Sequence, residues 1–218
     1  MKKQKWKAGN MIYPLPAVMV SCGTVEKPNI ITIAWTGTIC TNPAMTYVSI
    51  RPSRFSYELI KETGYFVINL TTKELLRATD YCGVRSGRDH DKFSEMQLTP
   101  DYENESGCPM ILESPVSIEC KVKQIMPLGS HDMFIAEVMN VYVDENYMDE
   151  KGKFQLNQTG LIAYSHGTYL ELGQELGTFG YSVKKGKKIQ KKNKESERLN
   201  NQKTGEKSRK RNKKSKKR

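Results

Sequence analysis

The sequence predicts a mainly β protein: a small antiparallel barrel with a few short peripheral helices. Three observations lead there. Runs rich in β-branched and aromatic residues recur along the chain, several of them alternating with period two. Short turn signals join consecutive runs, as antiparallel neighbours require. No G-x-G-x-x-G follows the first run, and the strands outnumber what βαβ units would supply.

Each element has its own signal. "PAVMVSCGTV" (16–25) and "NIITIAWTGTI" (29–39) read as a hairpin across the "EKPN" turn. In "MTYVSIR" (45–51), Tyr47 and Ser49 alternate with Val48 and Ile50, giving a third strand after Asn42-Pro43. "SRFSYELIKETG" reads as a helix with a serine cap at its start and Gly64 just past its end. "YFVINL" (65–70) has the composition of a buried strand. Thr71 and Glu74 form a T-x-x-E capping box for a helix over "TKELLRATDYC", ending at Gly83.

"GVRSGRDHDKFSEM" is a loop closing on a short helix, and residues 97–114 are polar and irregular. "PVSIECKVKQIMPLG" and "HDMFIAEVMNVYVDE" are two long strands joined near Gly129. In the second, Phe134, Ala136 and Val138 alternate with Ile135, Glu137 and Met139. "GLIAYSHGTYLELG" supplies a last strand or two, and there is no internal repeat.

The 218 residues suffice for one core plus a tail. The net charge of +11 is unevenly spread. Residues 184–218 hold 18 Lys/Arg and 3 Asp/Glu, which leaves 17 basic and 21 acidic residues in 1–183. The first 183 residues are therefore a mildly acidic domain, and its folded surface is not that of a nucleic-acid binder. The tail, 184–218, has two aliphatic residues and no aromatic, so it cannot offset its ordering entropy and reads as disordered. Docking of such a polybasic segment on nucleic acid or acidic surfaces competes with a solvated appendage. The latter is favoured, because no aromatic is interleaved for base stacking.

Five cysteines without C-x-x-C spacing argue against a zinc ribbon, an iron–sulfur site or a disulfide scaffold. Reduced thiols and a cytoplasmic setting are expected. The start, "MKKQKWKAGNMIYPLPAVMVSC", has a basic-then-apolar order, but Pro14 and Pro16 interrupt the apolar run, so export is not expected. No stretch approaches the ~20 apolar residues of a membrane span.

Protein-borne chemistry is poorly supplied. His90, His131 and His166 are the only histidines, and none sits in H-E-x-x-H. G-x-S-x-G and Walker motifs are missing too. That favours a bound cofactor. "RPSRFSYELI" (51–60) sets two arginines among three hydroxyls where a helix begins. Two readings stand level: a phosphate cradle on the helix start, or a serine-capped helix with two solvated arginines. In "AWTGT" (34–38), Gly37 lies where a strand seldom tolerates glycine. It marks either the close approach of something flat, bonded by Thr36 and Thr38, or a bulge at a barrel corner.

"PNIITIAWTGT", "NP", "SIRPSRFSYELI", "FVINL", "DYCGVRSGRDHDKF", "SPVSIECKV" and "LGSHDMFIAEV" occur in this order. Together they resemble the flavoredoxin branch of the flavin reductase family, across roughly residues 10–183. The resemblance implies an antiparallel FMN-binding split β-barrel with non-covalent FMN. It sets Trp35, Thr36, Gly37 and Thr38 against the isoalloxazine. It gives the phosphate to Arg51, Ser53, Arg54, Ser56 and Tyr57, with Lys92 and Ser86 nearby. His131 in "GSHDMF" falls at the open face of the ring, as a ring or nicotinamide contact with no proton transfer assigned. A strand-start histidine bonded to its neighbours, and Lys92 on a charged helix surface, are the competing structural readings. The resemblance further implies a homodimer, and reducing equivalents drawn from NADH or NADPH or from a redox protein. A flavin or other ligand carrier without catalysis is the alternative.

Overall fold

A computed structural model describes residues 1–183 of the chain; the expected tail lies outside the described residues. Residues 1–173 make up one compact unit. Of the second unit, from Gln174, the described part ends in a short 3-10 turn at Tyr181–Val183.

In chain order the first unit contains β1 (Leu15–Pro16), β2 (Val18–Gly23), β3 (Pro28–Ile33), β4 (Thr36–Thr41), β5 (Ala44–Ile50), α1 (Phe55–Thr63) and β6 (Tyr65–Leu70). There follow α2 (Leu76–Val84), α3 (Lys92–Glu95), β7 (Pro100–Asp101), β8 (Met110–Ile111), β9 (Val116–Pro127), β10 (Asp132–Val143), β11 (Ile162–Ser165) and β12 (Thr168–Glu171). Seven strands form one antiparallel sheet in the order β3-β2-β6-β9-β10-β5-β4. The β1-β11-β12 and β7-β8 sheets are small additions.

β2 shows how the layers form. All six of its residues are buried. Val18, Val20 and Cys22 point into one core with Ile33, Val48, Ile50, Phe66, Ile68 and Phe134. Met19, on the other face, joins a second core with Ile30, Ala78, Cys82 and Phe93, where α2 and α3 cover the sheet. A strand sandwiched this way loses the polar half of its alternation, which is why 18–23 reads as an apolar run.

The sheet curls without sealing. Its edges are β3 and β4, joined only by the bend at Ala34–Trp35. Register shifts at Ile135/Ala136 and Val138/Asn140 bend the long β9-β10 pair, as bulges do. The Ser49 N–H donates to Trp35 O at 2.9 Å, which extends the β4-β5 pairing by one residue, and no ladder joins β3 to β4 among the described residues. Mainly antiparallel β structure around an open seam is a split barrel, as expected.

Several local expectations need correction. Residues 29–39 are two strands, because the chain bends after Ile33 and β4 pairs with β5 instead of β2. Trp35 packs on the core and Thr36 is also buried, so period two breaks at the bend. No serine caps α1: its N-cap is Arg54, with no side-chain cap bond. The capping box is unformed too. Thr71 is buried with its hydroxyl donated to the Ala17 carbonyl, and α2 starts after Leu75. α2 also runs through Gly83, whose added Cβ would come within 3.3 Å of Thr32. The polar 97–114 stretch contains β7 and β8. Gly64 ends α1 in the left-handed region (φ 77°), its N–H donating to Ile60 O at 2.8 Å, as expected. No helix among the described residues is long and apolar enough to cross a membrane.

Candidate functional site

A small cavity of about 170 Å³ lies where α1 begins and α2 ends, walled by Ser53, Arg54, Ser56, Arg85, Ser86, Gly87, Arg88 and Lys92. Its lining holds four cationic side chains and no carboxylate. Arg54, Phe55 and Ser56, at the start of α1, form one wall of the cavity. Ser56 is pinned by the Asn29 side chain, which donates to its hydroxyl at 2.7 Å. Arg88 is held by a 3.1 Å bond from its guanidinium to the Ser53 carbonyl. Gly87 has to be glycine, because an added Cβ would sit 2.0 Å from Asn29 Oδ1.

Lys92 is the most telling member. It is only 4 % exposed and belongs to no ion pair among the described residues. Its Nζ donates to the carbonyls of Ile30 at 2.7 Å and Cys82 at 2.9 Å. Burial pulls its pKa down; nearby Cys82 and Cys22 oppose that, and Arg54 adds to it. An ammonium has three donors, and two are used here. A buried cation beside an anion-sized space is stabilised by whatever negative group enters.

The cavity continues along the seam. A groove of about 360 Å³ shares Ile31 and Arg54 with the cradle and runs past Ile33, Trp35, Ser49, Arg51 and His131. A chamber of about 600 Å³ shares Trp35, Ser49, Arg51 and His131 with that groove, and adds Met11, Ile12, Leu15, Leu128 and Met133. The trench is thus cationic at one end and apolar at the other. The His131 Nδ1 lies 2.9 Å from Ser130 Oγ. Partial burial holds the His131 pKa below its ordinary value, and Arg51 and Arg54 push it the same way.

Eight of the expected residues line this trench: Trp35, Arg51, Ser53, Arg54, Ser56, Ser86, Lys92 and His131. Lys92 is not on a charged surface. Thr36, Gly37, Thr38 and Tyr57 are not in its lining. The Thr36 hydroxyl donates to Tyr47 O at 2.5 Å. An added Cβ at Gly37 would meet the Tyr47 ring at 3.3 Å, and the β4-β5 register shifts between Thr38 and Cys40. The flat group against Gly37 is thus the protein's own tyrosine, beside a bulge. Tyr57 points into the core, its hydroxyl donating to Asp132 at 2.6 Å and its ring edge-on to Phe134 at 5.2 Å.

Asn29, Ser49, Arg85, Gly87 and Arg88 line the trench without having been singled out from sequence. Gly87 and Arg88 lie inside the "SGRDHDKF" block, between Ser86 and Lys92, so the signal for them was adjacency.

Comparison with known proteins gives a consistent result. The family model described as "Flavin reductase like domain" matches residues 10–173. The solved structure of flavoredoxin from Desulfovibrio vulgaris (Miyazaki F) is similar with a TM-score of 0.77 and 30% identity, covering 84% of this chain and 100% of that one. An uncharacterised protein of Archaeoglobus fulgidus is 32% identical over 156 residues, 72% of this chain and 86% of its own length. NADH-dependent FMN reductase AsuE2 of Streptomyces nodosus subsp. asukaensis is 24% identical over 134 residues, 62% of this chain and 71% of its own.

Proposed function

We propose, from the premise that this chain belongs to the flavin reductase-like family, that it binds FMN non-covalently and passes reducing equivalents from a nicotinamide donor through it. One observation carries the reading: buried Lys92, in no ion pair among the described residues, faces a carboxylate-free cavity at the end of a trench long enough to continue past Arg51 and His131. The residues present fit a molecule with a phosphate at one end and a flat apolar body at the other.

The roles follow from the chemistry of each side chain. Lys92, Arg54 and Arg88 neutralise the phosphate, and Ser53, Ser56 and Ser86 offer hydroxyls to its oxygens. Trp35 supplies an apolar wall, and Ser49 and Arg51 offer donors to the polar edge of the ring. His131, kept neutral at pH 7, contacts the ring or the nicotinamide and transfers no proton. Met11, Ile12, Leu128 and Met133 offer apolar surface to the ring in the chamber. When bound, FMN supplies the redox chemistry, and no protein nucleophile is needed.

Two measurements test this. Wild-type protein should bind FMN about 100-fold more tightly than riboflavin, which lacks the phosphate. Arg54→Ala/Arg88→Ala should erase most of that preference while riboflavin binding stays. Equal binding of both flavins by the wild type would sink the phosphate assignment. Anaerobic NADH or NADPH should bleach the bound flavin. Bleaching by dithionite alone would replace the nicotinamide donor with a redox protein. The proposal includes a homodimer, supported by exposed Val141 and Val143 on β10 and checked by sedimentation.

A further inference from the structure

We propose that Glu26, Asp89 and Asp91 make this site selective for a flavin mononucleotide, by repelling the adenylate extension that FAD would send out of the phosphate cradle. This rests on the FMN reading above. A second groove, of about 680 Å³, opens beside the cradle and shares Phe55, Gly87 and Arg88 with it. A dinucleotide whose first phosphate lay in the cradle would leave past Arg88 into this groove. Space does not forbid it, since the groove is the larger of the two. Charge does.

The cradle presents Arg54, Arg85, Arg88 and Lys92 with no acid. The groove presents Glu26, Asp89 and Asp91 against Lys27 and Arg88. None of the three carboxylates forms an ion pair among the described residues. Glu26 accepts from the Thr24 hydroxyl at 2.7 Å, which holds its pKa low and keeps it charged. Asp91 accepts from the Ser94 N–H at 3.1 Å at the start of α3. The sign of the lining charge therefore reverses across Arg88. The terminal phosphate of FMN ends on the favourable side of that step. The second phosphate of FAD falls beyond it, among like charges.

The groove also lacks a free stacking surface for adenine. Its two rings are both engaged: His90 is bonded through Nδ1 to Glu95 at 3.1 Å and lies edge-on to Tyr81, while at Phe55 Lys27 Nζ lies 5.2 Å and the Arg88 guanidinium 5.6 Å from the ring centroid. Stacking a base there would displace cations already held on the ring.

The test compares FMN and FAD titrations of flavin-stripped full-length protein with those of a Glu26→Gln/Asp89→Asn/Asp91→Asn variant. Wild type should prefer FMN by at least about tenfold. The variant should tighten FAD by about tenfold and leave FMN within about twofold, which also reports that the cradle is intact. A single Asp89→Asn change should move FAD in the same direction by less. Wild type binding both flavins equally would overturn the selectivity. So would a variant that tightens both equally, or one that weakens FAD, because the groove would then be an adenylate subsite. Failure to bind either flavin would instead overturn the FMN reading beneath it.

Discussion

Lys92 and Glu119 are both buried charges, and they are enclosed in opposite ways. Glu119, fully buried on β9, is closed in by neutral donors: the Ser106 N–H at 2.6 Å, the Asn140 amide at 2.8 Å and the Tyr142 hydroxyl at 3.3 Å. Burial pushes its pKa up, but the bonds from Asn140, Ser106 and Tyr142 outweigh that and hold it below the ordinary value. Its negative charge is spent on tying the 102–108 loop to β9 and β10. Lys92 has two carbonyl partners, and its surroundings open onto a cavity lined by three arginines. A buried charge that is fully solvated by the protein holds structure; one left short of partners beside a cavity is a candidate site.

That contrast can be broken from either side. Glu119→Leu should have the largest effect, a loss of about 3 kcal/mol in unfolding free energy, because three half-buried donors lose their acceptor. Chemical denaturation would measure it, and FMN affinity of the folded fraction should hardly change. The pH sign follows from the lowered pKa. Glu119 contributes stability that is present above its unfolded pKa of about 4.3 and is lost as pH falls through the lower folded value. Glu119→Gln should therefore flatten the stability profile below pH 5.

Lys92→Met should do the reverse. FMN affinity should fall about 100-fold, close to 2.7 kcal/mol, while the stability of the flavin-free protein changes by less than about 1 kcal/mol. If that variant unfolded as readily as Glu119→Leu and kept its flavin, Lys92 would be structural after all. The smallest effect concerns His131. Arg51→Gln removes a neighbouring positive charge, so the ring should protonate at higher pH than in wild type, a shift that NMR titration would resolve.

Much of this was legible in the sequence, and the failures share a cause. Strand-forming composition marked β5, β6, β9 and β10, and Gly64 marked the end of α1. The anion-binding reading of 51–57 and the serine-cap reading had equal local support. The structure fills the cap position with Arg54 and gives Ser56 to Asn29. What sequence pattern lacked was direction. Ser56 and Tyr57 are neighbours, yet one lines the cradle while the other packs in the barrel core and reaches Asp132 at the start of β10. Helical phase separates them by about 100° per residue, and the phase depends on packing that one chain segment does not reveal. Thr71 failed in the same way: a T-x-x-E spacing cannot announce that its hydroxyl is needed by Ala17, 54 positions earlier. Gly37 carried a signal whose neighbour the pattern could not name: the ring that an added Cβ would meet belongs to Tyr47.

The two-faced burial of β2 has a consequence for how substitutions would be tolerated. Along β10, buried Phe134 and Ala136 are interspersed with more open positions, so a substitution scan there should show tolerance rising and falling along the strand. β2 has no open position from Val18 to Gly23. Its side chains belong to the barrel interior, to the helix-covered face, or, like Ser21, to a bond with the carbonyl of Pro109. A saturation library should return an unbroken block of six intolerant positions there, at the strand where two of the molecule's cores meet back to back.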